Sequence, residues 1–274
     1  MATIRERSGK LIADFRYMGI RCRETTTLED NAYNRRILKK RLEQLEAEIV
    51  LGTFEYEKYF PKSKRLEEFK EKRSQQIAVQ TNVPLFKDYA HIWFNQRQIE
   101  WRGSYQEKIK IVMKKYLIPA FGNQVMTKIK KSDLLNFRAS LAKVTHGNDQ
   151  TSLKASRINQ IMTPLRMILN DAAERYEFES PYKNINNLKE SKIEVTPFSL
   201  EEVHKILTMV RDDFKPYYTI RFFTGMRTSE IDGLQWKNID LQRREIHIRE
   251  ALVNGVLGGT KTYGSDRTIQ MSDR

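Results

Sequence analysis

Thr224-Gly-Met-Arg-Thr-Ser-Glu-Ile231, followed by Gly233-Leu-Gln-Trp236 and then Ile239-Asp240, is the stretch on which the reading of this chain turns. Arg227 and Glu230 stand three apart, so on a helix they are neighbours on one face. Taken alone, that is what an ordinary surface arginine paired with a glutamate looks like. A strand pattern follows, Glu245-Ile-His-Ile248. Past Gly258-Gly259 comes Thr260-Lys-Thr-Tyr-Gly-Ser-Asp-Arg-Thr-Ile269, where Lys261 on its own reads as an exposed hairpin lysine.

Upstream, residues 83–177 carry four helical patterns. The first sets Phe86, Tyr89, Ala90, Trp93 and Phe94 on one stripe. The second opens at Ser104 and Glu107, in the spacing of a capping box, and runs through Ile109, Val112, Met113 and Tyr116 to Pro119. The third follows Ser132, with Leu134, Phe137, Arg138 and Leu141. The fourth holds Ile158, Ile161, Met162, Leu165, Ile168, Leu169 and Ala172, and Pro164 within it kinks the helix or marks its first turn. The stripes read as core. The complementary surface offers Lys108, Lys110, Lys114, Lys115, Lys128, Lys130, Lys131 and Lys154 to phosphates.

Residues 3–23 alternate apolar and polar types. Leu11, Ala13, Phe15 and Tyr17 fall on one face, Ile12, Asp14 and Arg16 on the other, and Met18-Gly19 signals a turn. Thr27-Leu-Glu-Asp30 then has capping-box spacing, and Leu38, Leu42, Leu45 and Ile49 follow at helical intervals until Gly52. The outer sheet face carries Arg16, Arg21 and Arg23, as groove contacts or as solvated strand residues. Residues 67–81 are highly polar and read as a helical or extended linker. Residues 178–196 suggest a second linker before Ser199-Leu-Glu-Glu202 caps another helix.

The formal charge is +14 and the isoelectric point near 9.7, a surplus that favours a polyanionic partner, with nucleic acid first. Mean hydropathy is −0.64, and no apolar run approaches the roughly 18 residues of a membrane-spanning helix. A cytoplasmic protein is the expectation. The single Cys22 rules out an internal disulfide, and four scattered histidines give no metal-ligand spacing, so neither metal nor cofactor is expected.

The run around Arg227 is similar to the first arginine box of the tyrosine recombinases, where a glycine turn feeds a short helix and sets an arginine against the scissile phosphate. The Thr-Lys-Thr segment resembles the same family's hairpin, with Lys261 at its catalytic lysine. The upstream parts resemble the arm-type and core-binding domains of phage integrases. The resemblance implies an α+β, mainly helical chain: a small N-terminal three-stranded sheet plus helix, a helical SAM-like core-binding domain, and an incomplete mixed α/β catalytic domain. The boundaries expected are 1–66 for the arm domain, 67–82 linker, 83–180 core-binding, 181–196 linker, and 197–274 for the start of the catalytic domain.

It also implies site-specific DNA recombination through a phosphotyrosine link. Arg227 would bind the phosphate, Glu230 would orient Arg227, and Lys261 would protonate the departing oxygen. Double-stranded attachment-site DNA is the implied partner, with a homo-oligomer on DNA and accessory DNA-bending proteins. The family's His-x-x-Arg box and nucleophilic tyrosine are not matched: His247 is followed at three residues by Glu250, and Tyr263 lies within the lysine segment. The chain is therefore expected to stop before its nucleophile and to be inactive alone. It is also expected to leave apolar residues around Phe222, Phe223 and Trp236 short of partners. A non-catalytic DNA-binding remnant that competes at integrase sites is the alternative. A general basic RNA-associated protein does not account for the Arg227 box.

Overall fold

The computed structural model describes residues 2–143, 145–146, 151–191, 194–259 and 265–272 of the chain. They group into two compact units. The first comprises Met1–Glu100 and Ile109–Leu188, and the second Trp101–Lys108 and Lys189–Arg274.

The first unit opens with a three-stranded antiparallel meander, β1 (Thr3–Arg7), β2 (Lys10–Tyr17) and β3 (Ile20–Glu29). Both turns are two residues long and both residues of each have positive φ, 53° and 75° at Ser8-Gly9 and 48° and 77° at Met18-Gly19. Such primed turns match the twist of paired strands, and they set the registers Arg7↔Lys10 and Tyr17↔Ile20. Leu11, Ala13, Phe15 and Cys22 all point inward, and none is more than 2% exposed.

Helix α1 (Ala32–Val50) covers that face with Leu38, Leu42 and Leu45. Its cap differs from the expectation. Thr27, Leu28 and Glu29 stay in β3, and Asn31 caps the helix by accepting a hydrogen bond from the Asn34 amide at 2.8 Å. The ladder claims the earlier residues, and a short amide side chain one step later does the capping. After a short turn of helix, α2 (Tyr56–Tyr59), comes α3 (Leu66–Thr81), the segment expected as a linker. Its Phe69 is buried and stacks on Tyr56 with centroids 4.4 Å apart, so the first turn of α3 is part of the sheet's core.

The helices beyond are α4 (Phe86–Arg97), α5 (Gly103–Val112), α6 (Ile118–Phe121), α7 (Lys131–Leu141) and α8 (Ala155–Arg175). A small hairpin, β4 (Thr145–His146) and β5 (Thr151–Ser152), lies between the last two. Every stripe residue expected on α4 and α8 is buried. Ser104 does not cap α5 but lies within its first turn. Nor does Pro119 end the helical run: a π turn over Met113–Leu117 intervenes, the Ile118 amide bonds to the Met113 carbonyl, and α6 continues with Pro119 in its first turn. Proline has no amide to donate, so it fits where the ladder has already shifted. Pro164 lies well inside α8 and is not its first turn. Residues 181–188, expected to begin a linker, are tied down. The Asn159 amide group donates to the Leu188 carbonyl and accepts from the Leu188 amide, both at 2.9 Å, and Tyr182 and Ile185 are buried.

In the second unit, α9 (Leu200–Met209) starts as expected. The Ser199 hydroxyl accepts from the Glu202 amide, and the Glu202 carboxylate accepts from the Ser199 amide at 2.8 Å. Then come α10 (Lys215–Thr224), α11 (Thr228–Asp232), and the strands β6 (Ile239–Asp240), β7 (Glu245–Ile248), β8 (Glu250–Val253), β9 (Val256–Gly259) and β10 (Arg267–Gln270). One antiparallel sheet runs β10-β7-β6 and β8 pairs with β9. The core is small: Met226, Ile231, Ile246 and Ile248, flanked by Tyr217, Ile220, Leu234, Ile269 and Met271. No residue of α10 is fully buried, and Phe223 and Trp236 are 55% and 81% exposed. Among the described residues no helix is long and apolar enough to cross a membrane.

Candidate functional site

Two cationic features stand out, and each is organised by a buried carboxylate. The first is the sheet face opposite α1. Strand alternation puts Arg5, Arg7, Lys10, Arg16, Arg21 and Arg23 on this side, around Asp14. Like charges stand directly across from one another, Arg16 from Arg21 and Lys10 from Arg7, an arrangement that costs stability unless something anionic covers it. Sequence alternation placed Asp14 on this outer face beside Arg16, yet its side chain is only 4% exposed, because arginine stems from both flanking strands fold over it. Arg21 grips it through two parallel hydrogen bonds of 2.8 Å, while Arg5 approaches Oδ2 at 2.7 Å and Arg23 at 3.5 Å. The Arg21 guanidinium holds the Asp14 carboxyl below the usual carboxylate range, with Arg5 and Arg23 adding to the effect against the cost of burial. The three guanidiniums stay about half exposed, so the face remains cationic and its arginines are held in place.

The lysines of the helical region divide differently. All eight candidates, Lys108, Lys110, Lys114, Lys115, Lys128, Lys130, Lys131 and Lys154, are exposed. Lys110 and Lys115 lie over the rings of Phe94 and Tyr116. Lys128, Lys130 and Lys131 cluster where a single turn of 3₁₀ helix, Met126–Lys128, runs into α7, and the Asp133 carboxylate caps that helix by accepting from the Lys130 amide at 2.9 Å.

The second feature is the Arg227 turn. α10 ends on Gly225, whose φ of 63° suits a residue without Cβ. The chain reverses, Met226 plugs the core at 4% exposure, and Arg227 becomes the N-cap of α11. Glu230 is 2% exposed and receives four hydrogen bonds: from the Arg227 amide at 3.0 Å, Arg227 Nη1 at 2.8 Å, Arg267 Nη1 at 3.2 Å and Arg267 Nη2 at 2.8 Å. Arg267 foremost, then the Arg227 amide and side chain, hold the Glu230 carboxyl down to about 2 despite its burial. The Arg227 side chain remains 57% exposed. Arg267 was not singled out from the sequence. Its only signal there was an arginine opening a strand, and its partner is 37 residues away. Lys261 and Tyr263 lie outside the described residues. His247 pairs with Thr268 at 3.0 Å across β7 and β10, with no phosphate-binding arginine beside it in its own strand.

Comparison with known proteins follows the same division. Residues 1–64 match the family described as Arm DNA-binding domain, and residues 85–142 the family described as phage integrase, N-terminal SAM-like domain. The ICEBs1 integrase of Bacillus subtilis (strain 168) is 26% identical over 215 residues, 76% of this chain and 55% of that protein. A Tn1549 transposon integrase solved in complex with a circular intermediate DNA aligns with a TM-score of 0.57 at 16% identity, over 69% of this chain and 61% of the other. A lambda integrase dimer bound to a COC′ core site aligns with a TM-score of 0.52 at 14% identity, over 97% of this chain and 65% of the other. The chain thus spans between half and two thirds of the length of the curated relatives it matches. The resemblance to the phage integrases and the mainly helical fold class it implied are both borne out.

Proposed function

We propose that this chain, which matches the Arm DNA-binding domain and the phage integrase SAM-like domain and shares its fold with the Tn1549 and lambda integrases, is a site-specific DNA recombinase of the phage-integrase type, acting on double-stranded attachment sites. The observation that carries this reading is Arg227. It is an exposed guanidinium at the head of a short helix, held by a carboxylate that is itself buried and doubly neutralised.

The chemistry follows from the charges. When a hydroxyl attacks a DNA phosphodiester, negative charge builds on the non-bridging oxygens, and a pre-oriented guanidinium stabilises it without rearranging. Arginine suits the task because its fork donates in parallel and stays protonated. Glu230 acts as the positioning group that fixes Arg227. Lys261 is the proton donor for the departing 5′ oxygen, on the strength of the family resemblance alone.

The sheet face of residues 3–23 and the lysines at 108–131 and 154 give the chain two independent holds on the DNA backbone. In this reading the labour divides at about the limits expected, 1–66, 83–180 and 197–274, with α3 added to the first part and residues 181–188 to the second. Assembly as a homo-oligomer on DNA, help from accessory bending proteins and action in the bacterial cytoplasm belong to the same proposal. The Tn1549 and lambda integrases aligned above were solved bound to DNA, which supports this reading.

The test is a native mobility shift on duplexes carrying candidate attachment sites, with a nicked suicide substrate run on a denaturing gel beside it. Retarded attachment-site DNA that is outcompeted tenfold less well by random duplex supports the proposal. Equal competition by both duplexes contradicts it. A covalent band would assign the nucleophile to one of these 274 residues, and a shift without one would leave this chain as the DNA-recognising part.

A further inference from the structure

Arg267 has no role in anything described so far beyond touching Glu230. It opens β10, where pairing with Ile248 of β7 fixes its backbone, and its Nη1 also donates to the Ser265 carbonyl at 3.3 Å. From there it presents the flat edge of its guanidinium to Glu230, Nη2 to Oε2 at 2.8 Å and Nη1 to Oε1 at 3.2 Å. Arg227 meets the same carboxylate with one side-chain nitrogen only. Among the described residues its Nε and Nη2 have no acceptor.

A buried carboxylate that served Arg227 alone would be a poor device for binding phosphate. It would orient the guanidinium but cancel its charge and compete with the phosphate oxygens for its donors. The second arginine changes that balance. The cluster of two guanidiniums and one carboxylate carries a net positive charge, and the two-point contact lies on the Arg267 side. Exposure follows the same split, 57% for the Arg227 side chain against 35% for Arg267. The half of the cluster with spare donors is the half that faces solvent.

We infer that Arg267 is a positioning residue for phosphate binding at Arg227: it takes up the charge of Glu230 and holds that carboxylate in place, so that Arg227 meets a phosphate fully oriented and with its charge intact. The inference rests on the reading of the Arg227 turn as a phosphate site and adds to it a residue from a different part of the sequence.

The experiment follows the Arg227 Nε–H resonance of the full chain during titration with inorganic phosphate, and the Glu230 side-chain carboxyl resonance during titration with acid. Arg227→Lys identifies the arginine signal. In the wild-type protein, phosphate shifts the Arg227 signal and saturates. In Arg267→Met, phosphate binds about tenfold more weakly, and Glu230 titrates closer to an ordinary glutamate. Because the methionine variant can loosen β10, Arg267→Lys is measured beside it. Lysine keeps the charge and loses the fork, so a severalfold loss of phosphate affinity there, with Glu230 still titrating low, supports the inference. Wild-type affinity in both variants overturns it. A wild-type chain whose Arg227 signal ignores phosphate overturns the phosphate reading itself. That case is told apart by a Glu230 titration that still responds to Arg267.

Discussion

Arg21 lies flat against Asp14, with Nε to Oδ1 and Nη2 to Oδ2 both at 2.8 Å, and the carboxylate it grips is almost wholly buried. Arg5 and Arg23 close on the same oxygen, so this acidic group in the sheet is the hub of its basic face. Asp14→Asn leaves three guanidiniums facing one another around a neutral amide. The expected loss is about 2 kcal/mol of stability, since a charged hydrogen-bond hub is removed and the arginines can still turn to solvent. Denaturant unfolding measures it. In mobility shifts the same variant should hold random duplex as tightly as the wild type while losing preference for its target, because charge survives and placement does not. Unchanged target preference would mean that the arginines need no organiser.

Glu230 sets an acid limit for the second unit. Its carboxyl is lowered from the ordinary 4.5 to about 2 in the folded protein. A depressed carboxyl stabilises the fold above its unfolded value, and that stability is lost as pH falls from about 4.5 through 2. The contribution is about 3 kcal/mol at neutral pH. Glu230→Gln should therefore lower the unfolding free energy at pH 7 far more than at pH 2.5. Parallel stability curves for the two proteins over that range would rule this out.

Gly233 is required for steric reasons. A Cβ there would stand 2.7 Å from the Leu252 amide nitrogen and 3.0 Å from the Ala251 Cα, both backbone atoms of β8. Its φ of −93° is open to any residue, so the cost of Gly233→Ala is contact alone. Pushing α11 off β8 should cost about 1–3 kcal/mol. It should also displace the Arg227 turn, seen as changed amide shifts across residues 226–232. A variant as stable as the wild type would show that the two elements can part freely.

Lys130 and Lys131 probe the backbone hold of the helical region. Both are exposed, and among the described residues neither has a carboxylate within ion-pair distance. Replacing either by alanine should weaken binding to all duplexes alike and reduce the slope of log affinity against log salt by about 1. A salt slope equal to that of the wild type would place these lysines off the DNA.

How much of this was legible beforehand depends on the distance over which each feature is decided. The Ser199–Glu202 capping box closes within one turn, and the buried stripes of α4 and α8 follow from helical periodicity alone; all three were visible. The Thr27–Asp30 box failed although its residues were right, because pairing with β2 kept them in a strand. Ser104 and Pro119 failed for a related reason. A local start or stop signal yields when the surrounding helix is held by packing. In the site, the Arg227–Glu230 contact was legible as a spacing of three.

The sequence by itself determined the strand alternation that puts Arg16, Arg21 and Arg23 on one sheet face, the amphipathic helices, the glycine turn before Arg227 and the family resemblance these carry. All are short-range: a turn, a pleat or a helical repeat fixes them whatever the rest of the chain does. Only the tertiary structure decided that Asp14 and Glu230 are buried, and which arginines reach them. A carboxylate leaves water only if cations arrive from elsewhere to replace its solvation. Arg5 comes to Asp14 across the β1–β2 pairing, and Arg267 comes to Glu230 from a strand 37 residues on. Those approaches are set by which strands pair and pack, and no spacing along the chain records them.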